Sequence, residues 1–213
     1  VPITRQASTC LLSLCILAVV TNAAEPPSVA ATCVACHGAR GEGNEAIGAP
    51  ALAGQHPTYL AAQLADFKAG RRGYDASDIG GATMRGVALA LDDADIPSLA
   101  AYYGGLPASD HSRSTRLQGD AKTGQALYEG SCAACHGMRA EGFPQLSTPN
   151  LRILPGWYIA RQVLGYKKGW RGAPDHAGQA ALWMRSVSFH IDEQAELADV
   201  VAYLDNLSAV APL

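Results

Sequence analysis

Two pentapeptides limit what this chain can be: Cys33-Val-Ala-Cys36-His37 and Cys132-Ala-Ala-Cys135-His136. In each, two thiols stand three positions apart and a histidine follows the second. This C-x-x-C-H spacing lets both sulfurs bond to the vinyl groups of a haem while the imidazole ligates its iron. One copy could equally be a redox dithiol or half a zinc site. Two copies, each followed by glycine and by a methionine-bearing segment of similar length, point to two covalently attached haem c groups. The fifth iron ligands are then His37 and His136. For the sixth, Met84 follows His37 by 47 residues and Met184 follows His136 by 48. Thioether ligation favours ferrous iron and closes the distal position to oxygen or substrate. Met138 stands too near His136 to cross to the other haem face. His176 and His190 remain open as imidazole alternatives to Met184, and core filling beside the porphyrin remains open for either methionine.

The other cysteines fit export. Residues 1–24 read as a signal peptide, with Arg5 ahead of an apolar run, Leu11–Val20, and a small-residue exit at Ala23 and Ala24. That run is short of the roughly 20 residues a membrane span needs, although an uncleaved anchor stays open. Cys10 and Cys15 fall in the leader, so every remaining cysteine belongs to a haem motif and none is left for a structural disulfide. Haem attachment outside the cytoplasmic membrane, in the periplasm, explains such usage.

The sequence repeats at a shift of 99 residues. Beyond the haem motifs, Gly43 matches Gly142, Pro50-x-Leu52 matches Pro149-x-Leu151, and Tyr59 matches Tyr158. Phe67-Lys68-x-Gly70-x-Arg72-Gly73 matches Tyr166-Lys167-x-Gly169-x-Arg171-Gly172. The shift then grows to 100 at Met84-Arg85 and Met184-Arg185, and to 101 at Tyr102 and Tyr203. Two similar domains follow, 25–106 and 118–213, joined by a polar, aperiodic linker at 107–117. Apolar spacing predicts helices over Pro27–Ala35, Thr58–Phe67 and Asp92–Tyr103, the last capped by Asp92 or Asp93. Residues 70–85 read as a glycine-rich loop carrying Met84. The second copy repeats the order with helices at Asp120–Glu129, Trp157–Tyr166 and Asp192–Leu204. No strand pattern appears, so the fold class is all-α. Pro50 and Pro149 should shape a loop behind each histidine. Tyr59, Trp157 and Tyr158 are placed to pack on porphyrin or reach a propionate. Arg72, Arg85, Arg171 and Arg185 either offset propionate charge or remain solvated.

Without the leader's Arg5, 15 basic and 19 acidic side chains leave a formal charge of −4. Residues 25–108 carry 9 acidic and 5 basic groups, whereas residues 109–213 carry 10 of each. That balance argues against nucleic acid as a partner and makes the first half the acidic one.

These residues resemble the class I cytochromes c and, more narrowly, the two-domain dihaem cytochrome c4 family. The likeness rests on Cys33-x-x-Cys36-His37-Gly38, Gly41-x-Gly43-Asn44, Pro50-x-Leu52-Ala53-Gly54-Gln55-His56, Tyr59-Leu60-x-x-Gln63-Leu64, and Met84 ahead of Leu91-x-Asp93-x-Asp95-Ile96. The second copy departs from it, with Ile153-Leu154-Pro155 in place of Gly54-Gln55-His56 and with Trp157, Trp170 and Trp183 added. The resemblance implies tandem haem domains about a pseudo-twofold axis and the axial pairs His37/Met84 and His136/Met184. It also implies single-electron transfer between redox protein partners, toward a membrane-bound respiratory complex or terminal oxidase, with membrane contact only through the partner or an uncleaved anchor. The alternative is a dedicated cytochrome subunit of a larger oxidase or dehydrogenase, with the tryptophans as a docking face or core. A third reading, a haem enzyme or gas sensor, needs an exchangeable sixth position. No nucleophile–base motif accompanies the haem sites, so the chain reads as a carrier and not an enzyme.

Overall fold

The computed structural model describes residues 25–109, 117–193 and 195–209. The expected leader at 1–24 lies outside the described residues, as does most of the expected linker. Among the described residues there is no strand, only an isolated bridge between Asn44 and Ala49. The helices of the first half are α1 (Ala31–His37), α2 (Pro57–Lys68), α3 (Ile79–Leu89) and α4 (Asp95–Gly105). Those of the second are α5 (Ala121–Ser131), α6 (Ala133–His136), α7 (Gly156–Lys168), α8 (Gln179–Ser188) and α9 (Glu196–Ala209).

Local chemistry accounts for most of these elements. Helix α2 opens with Pro57, which loses no hydrogen bond in the first turn, and buries Tyr59, Leu60 and Phe67 on one face. The loop expected over 70–85 is instead a helix across its second half. Asp78 accepts from the Gly81 N–H at 3.0 Å and starts α3, so Met84 stands on a helix. Three glycines in eleven residues had hidden it by lowering its propensity. The cap of α4 also differs. Asp95 lies inside the helix and reaches back to the Asp92 N–H at 2.8 Å, while Asp93 pairs with Lys68 at 2.7 Å. The entry helix of the first half is short: a 3-10 turn, Ser28–Ala30, leads into α1, which contains both thiols.

Two apolar cores result. The first gathers Ala30, Leu60, Leu91, Leu99, Ala100 and Tyr103, with α2 packed on α4. The second is larger, built from α5 crossing α9 and α7 against both α8 and α9, with Tyr128, Ile159, Val201 and Leu204 deep inside. At Gly124 the α5 backbone meets α9 so closely that a Cβ would stand 1.9 Å from the Asp199 carbonyl oxygen.

The two halves meet about a pseudo-twofold axis that exchanges matched residues. Arg72 donates to Gln63 in its own half at 2.8 Å and to Gln162 across the axis at 3.0 Å. Arg171 returns the pattern, bonding Gln162 at 2.7 Å and Gln63 across the axis. Each guanidinium also lies over its own domain's ring, Arg72 on Phe67 and Arg171 on Tyr166. Both arginines are buried, so these two of the four candidates are not solvated surface cations.

Beyond the axis the contacts become one-sided, where the sequences of the two copies diverge. Gln55 donates to the Asn150 carbonyl at 3.0 Å and accepts from the Asn150 N–H at 2.8 Å. His56 Nε2 donates to the Glu141 carbonyl at 2.7 Å. Tyr74 inserts into the second half, donating to Gly169 O, accepting from Ala173 N and stacking on His176 at 4.0 Å. Gln55→Leu, which copies Leu154 of the second half, will remove both bonds to Asn150 and leave its N–H unpaired. The expected cost is about 2 kcal/mol, read as a lower Tm in thermal unfolding; an unchanged Tm would show that Gln55 does not hold the halves together.

Candidate functional site: two haem-attachment centres

Each C-x-x-C-H closes a helix. His37 ends α1 and His136 ends α6, and the chain reverses at the glycine that follows. The loop then folds back under the histidine. Gly43 N–H donates to His37 O at 2.8 Å, and Gly142 N–H to His136 O at 2.7 Å. At Gly43 (φ +85°) a Cβ would meet Ala51 N at 2.7 Å, so only glycine lets the proline segment come this near.

That approach places Pro50 where the sequence anticipated it. The Nδ1 of His37 donates to the Pro50 carbonyl at 2.7 Å, which fixes the tautomer and leaves Nε2 with a free lone pair. In the second half the Pro149 carbonyl also faces the His136 ring. It falls outside hydrogen-bond geometry there, and Nδ1 stays without a partner. Burial holds both imidazoles below the ordinary histidine range, opposed by the proline carbonyls, so both are neutral at pH 7. Burial likewise raises the thiols Cys33 and Cys132, the latter to about 11. All four motif cysteines are unpaired, with Cys36 and Cys135 exposed.

In the first half these groups surround one cavity of about 400 Å³, within the roughly 300–1,000 Å³ of ordinary cofactor sites. Cys33, Cys36 and His37 share its wall with Met84, and Leu60, Leu64, Phe67 and Leu99 supply an apolar lining. Leu154, Tyr158, Arg161 and Gln162 of the second half close it, so the site is completed by the neighbouring domain. The buried Arg72 Nε, on the cavity lining, has no protein partner. An unpaired buried donor at an apolar cavity beside two thiols and a neutral imidazole fits a haem with a carboxylate side chain. The second half has the same order of parts. Cys132 precedes α6 and Cys135 and His136 lie at its end, the indole Nε1 of Trp157 is a buried donor without a partner, and Met184 is half-buried on α8.

The remaining candidates divide. Tyr158 is buried and its hydroxyl accepts from Arg72 Nη2 at 2.9 Å. Burial alone would raise this phenol, but Arg72 and Arg171 outweigh it and bring it below its usual range. Tyr59 takes the mirror position beside Arg171. Arg85 has a buried Nε without a partner, whereas Arg185 lies over the exposed ring of Phe189 at 5.2 Å. His176 is taken up by the stack on Tyr74, and His190 is exposed. The sequence named Gln63 only within the family likeness, and it gave no role to Gln63, Gln162 or the cation Arg161. The repeat did contain one signal, since Gln63 and Gln162 match at the same shift of 99.

Both halves are haem-binding cytochrome c domains: the Cytochrome c family model matches residues 27–106 and again 121–208. The chain is 32% identical over 185 residues to cytochrome c4 of Thiocapsa roseopersicina, covering 83% of this chain and 87% of that one. It is 34% identical over 179 residues to a thiosulfate dehydrogenase electron acceptor of Thiomonas intermedia, covering 80% and 79% of the two chains. The structure of Acidithiobacillus ferrooxidans cytochrome c4 superposes with a TM-score of 0.67 at 30% identity, covering 82% of this chain and 98% of that one. The class is therefore the tandem c-type cytochromes, with two covalently attached haem c groups. Within it, the chain belongs to the dihaem cytochrome c4 family and is an electron-transfer protein rather than an enzyme.

Proposed function

We propose that this protein is a periplasmic carrier that takes single electrons from one redox protein and delivers them to a membrane-bound respiratory complex, with a terminal oxidase as acceptor. Each haem iron, when bound, supplies a one-electron ferric–ferrous couple. The chain's own residues do the rest. Cys33, Cys36, Cys132 and Cys135 would tether the groups, and His37 and His136 would ligate them. Met84 and Met184 would supply the second ligand to each group, which would leave no position for substrate. The domains run over 25–106 and 118–213, with the linker at 107–117 between them.

The observation that carries this reading is the shared wall of Cys33, Cys36, His37 and Met84 around one apolar cavity. Those residues would hold and orient a bound group, and the apolar lining would limit solvent rearrangement during electron exchange. For the second site, engagement of His176 by Tyr74 favours Met184 as the distal ligand.

Near-infrared spectra of the ferric protein test the ligands. Met84→Ala and Met184→Ala should each remove half of the methionine–iron charge-transfer absorbance, and the double variant all of it. An undiminished band in Met184→Ala would transfer the second ligation to His176 or His190.

A second reading makes the chain the dedicated electron acceptor of a dehydrogenase. The Thiomonas relative bears such a name, and Trp183 stands 60% exposed on α8, an aromatic suited to a docking contact. Stable co-purification with a dehydrogenase would favour this subunit role; a monomer that exchanges electrons with several partners would favour the free carrier.

A further inference from the structure

Charges at the centre of the interface come in exchanged pairs: Arg72 and Arg171 occupy equivalent places and make equivalent hydrogen bonds. Among the described residues, one charged contact across the interface has no mate. Arg161 on α7 reaches out of the second half to Asp78, Nη2 to Oδ1 at 3.5 Å, and both residues border the first cavity. Its guanidinium rests against Gly48 and Gly80, where a Cβ on either glycine would stand 2.9 Å from its nitrogens.

None of these parts recurs on the other side. The repeat places Ala62 opposite Arg161 and Ser147 opposite Gly48. Helix α8 is capped by Gly178 where α3 is capped by Asp78. Cation, carboxylate and glycine socket therefore belong to the first haem site alone. Asp78 is 9% exposed and held by the Gly81 N–H, so its charge is poorly screened and fixed in place.

We propose that the Arg161–Asp78 pair makes the two haem sites electrostatically unequal, setting the first haem's reduction potential relative to the second through a guanidinium lent by the neighbouring domain. With the domains docked, the cation offsets the carboxylate beside the first site. Without the cation, Asp78 stands uncompensated and favours the ferric state, so the first potential falls. Domain docking and the first potential are thereby coupled, because Arg161 reaches Asp78 only across the interface. The inference rests on the two-haem carrier reading, and intact mass reports haem loading of every variant separately from its potentials.

Spectroelectrochemical titration of the full dihaem protein tests it. The moving step is assigned from haem methyl NMR signals that show Overhauser contacts to Leu60 and Leu99. Arg161→Gln should shift the first haem's step to lower potential and leave the second in place. Asp78→Asn should shift the same step upward, and the double variant should return it close to wild type. Arg161→Lys, which keeps the charge, should hold the wild-type position; a merely structural role for Arg161 would not follow this ordering by charge. Equal displacement of both steps in Arg161→Gln, or no displacement of either, would overturn the proposal.

Discussion

Replacing Cys33 and Cys36 together with serine will yield a chain that carries one haem and whose first domain does not fold. The first domain's own apolar cluster has six buried members, two of them alanines, and the cavity beside it measures about 400 Å³. That cavity opens to solvent, so without the porphyrin its apolar lining meets water at about 25 cal/mol per Å², a loss of several kcal/mol. A small domain has roughly 5–15 kcal/mol in all. The porphyrin is thus most of the core, and its covalent tether keeps it there. Intact mass should fall by one haem, and hydrogen exchange in α2 and α4 should lose its protection. The matching change at Cys132 and Cys135 should be milder, because the second cluster has thirteen buried members and the α5–α9 crossing to hold it. Native protection of α2 and α4 in the Cys33/Cys36 variant would show that the first domain folds around protein contacts alone.

Gly124→Val will destabilise the second domain by about 3 kcal/mol, a fall in Tm of roughly 15 °C for a domain of this size. The first atom beyond the backbone would sit 1.9 Å from the Asp199 carbonyl oxygen, and backbone cannot swing aside as a side chain can. Separating the helices would also stretch the bond from Asp120 N–H to the Asp199 carboxylate, 2.7 Å, which anchors the start of α5. Gly130 on the same helix is the control. It is exposed, and a Cβ there meets nothing within 4 Å. Gly130→Ala should therefore stabilise by about 1 kcal/mol through helix propensity alone. Opposite signs at two glycines six residues apart separate packing from propensity. If both changes lowered Tm equally, the close crossing would not be what holds α5 to α9.

Much of the architecture was legible in the residues. Tyr59, Leu60, Leu64 and Phe67 at helical spacing marked α2 to within a residue at each end. The repeat announced its second copy, α7, by the same pattern. Helix α3 was not legible, because Gly80 and Gly81 read as loop and the contact that starts it is a single Asp78 side chain. The four candidate arginines looked alike in sequence. Yet Arg72 and Arg171 are buried at the axis, while Arg185 lies over an exposed phenylalanine. Burial of a long cationic side chain depends on what stands opposite, and in this protein that is the other domain.

The sequence alone determined the cofactor and its number, since haem attachment needs five consecutive residues whose spacing is set by local backbone geometry. It also determined that there are two domains of one kind, because the matched positions recur in order. Only the tertiary structure decided how those domains differ in their surroundings. Gln55 with Asn150, Tyr74 with His176, and Arg161 with Asp78 lie 83 to 102 residues apart in the chain. Such pairs depend on how two folded surfaces dock, and no local periodicity encodes that.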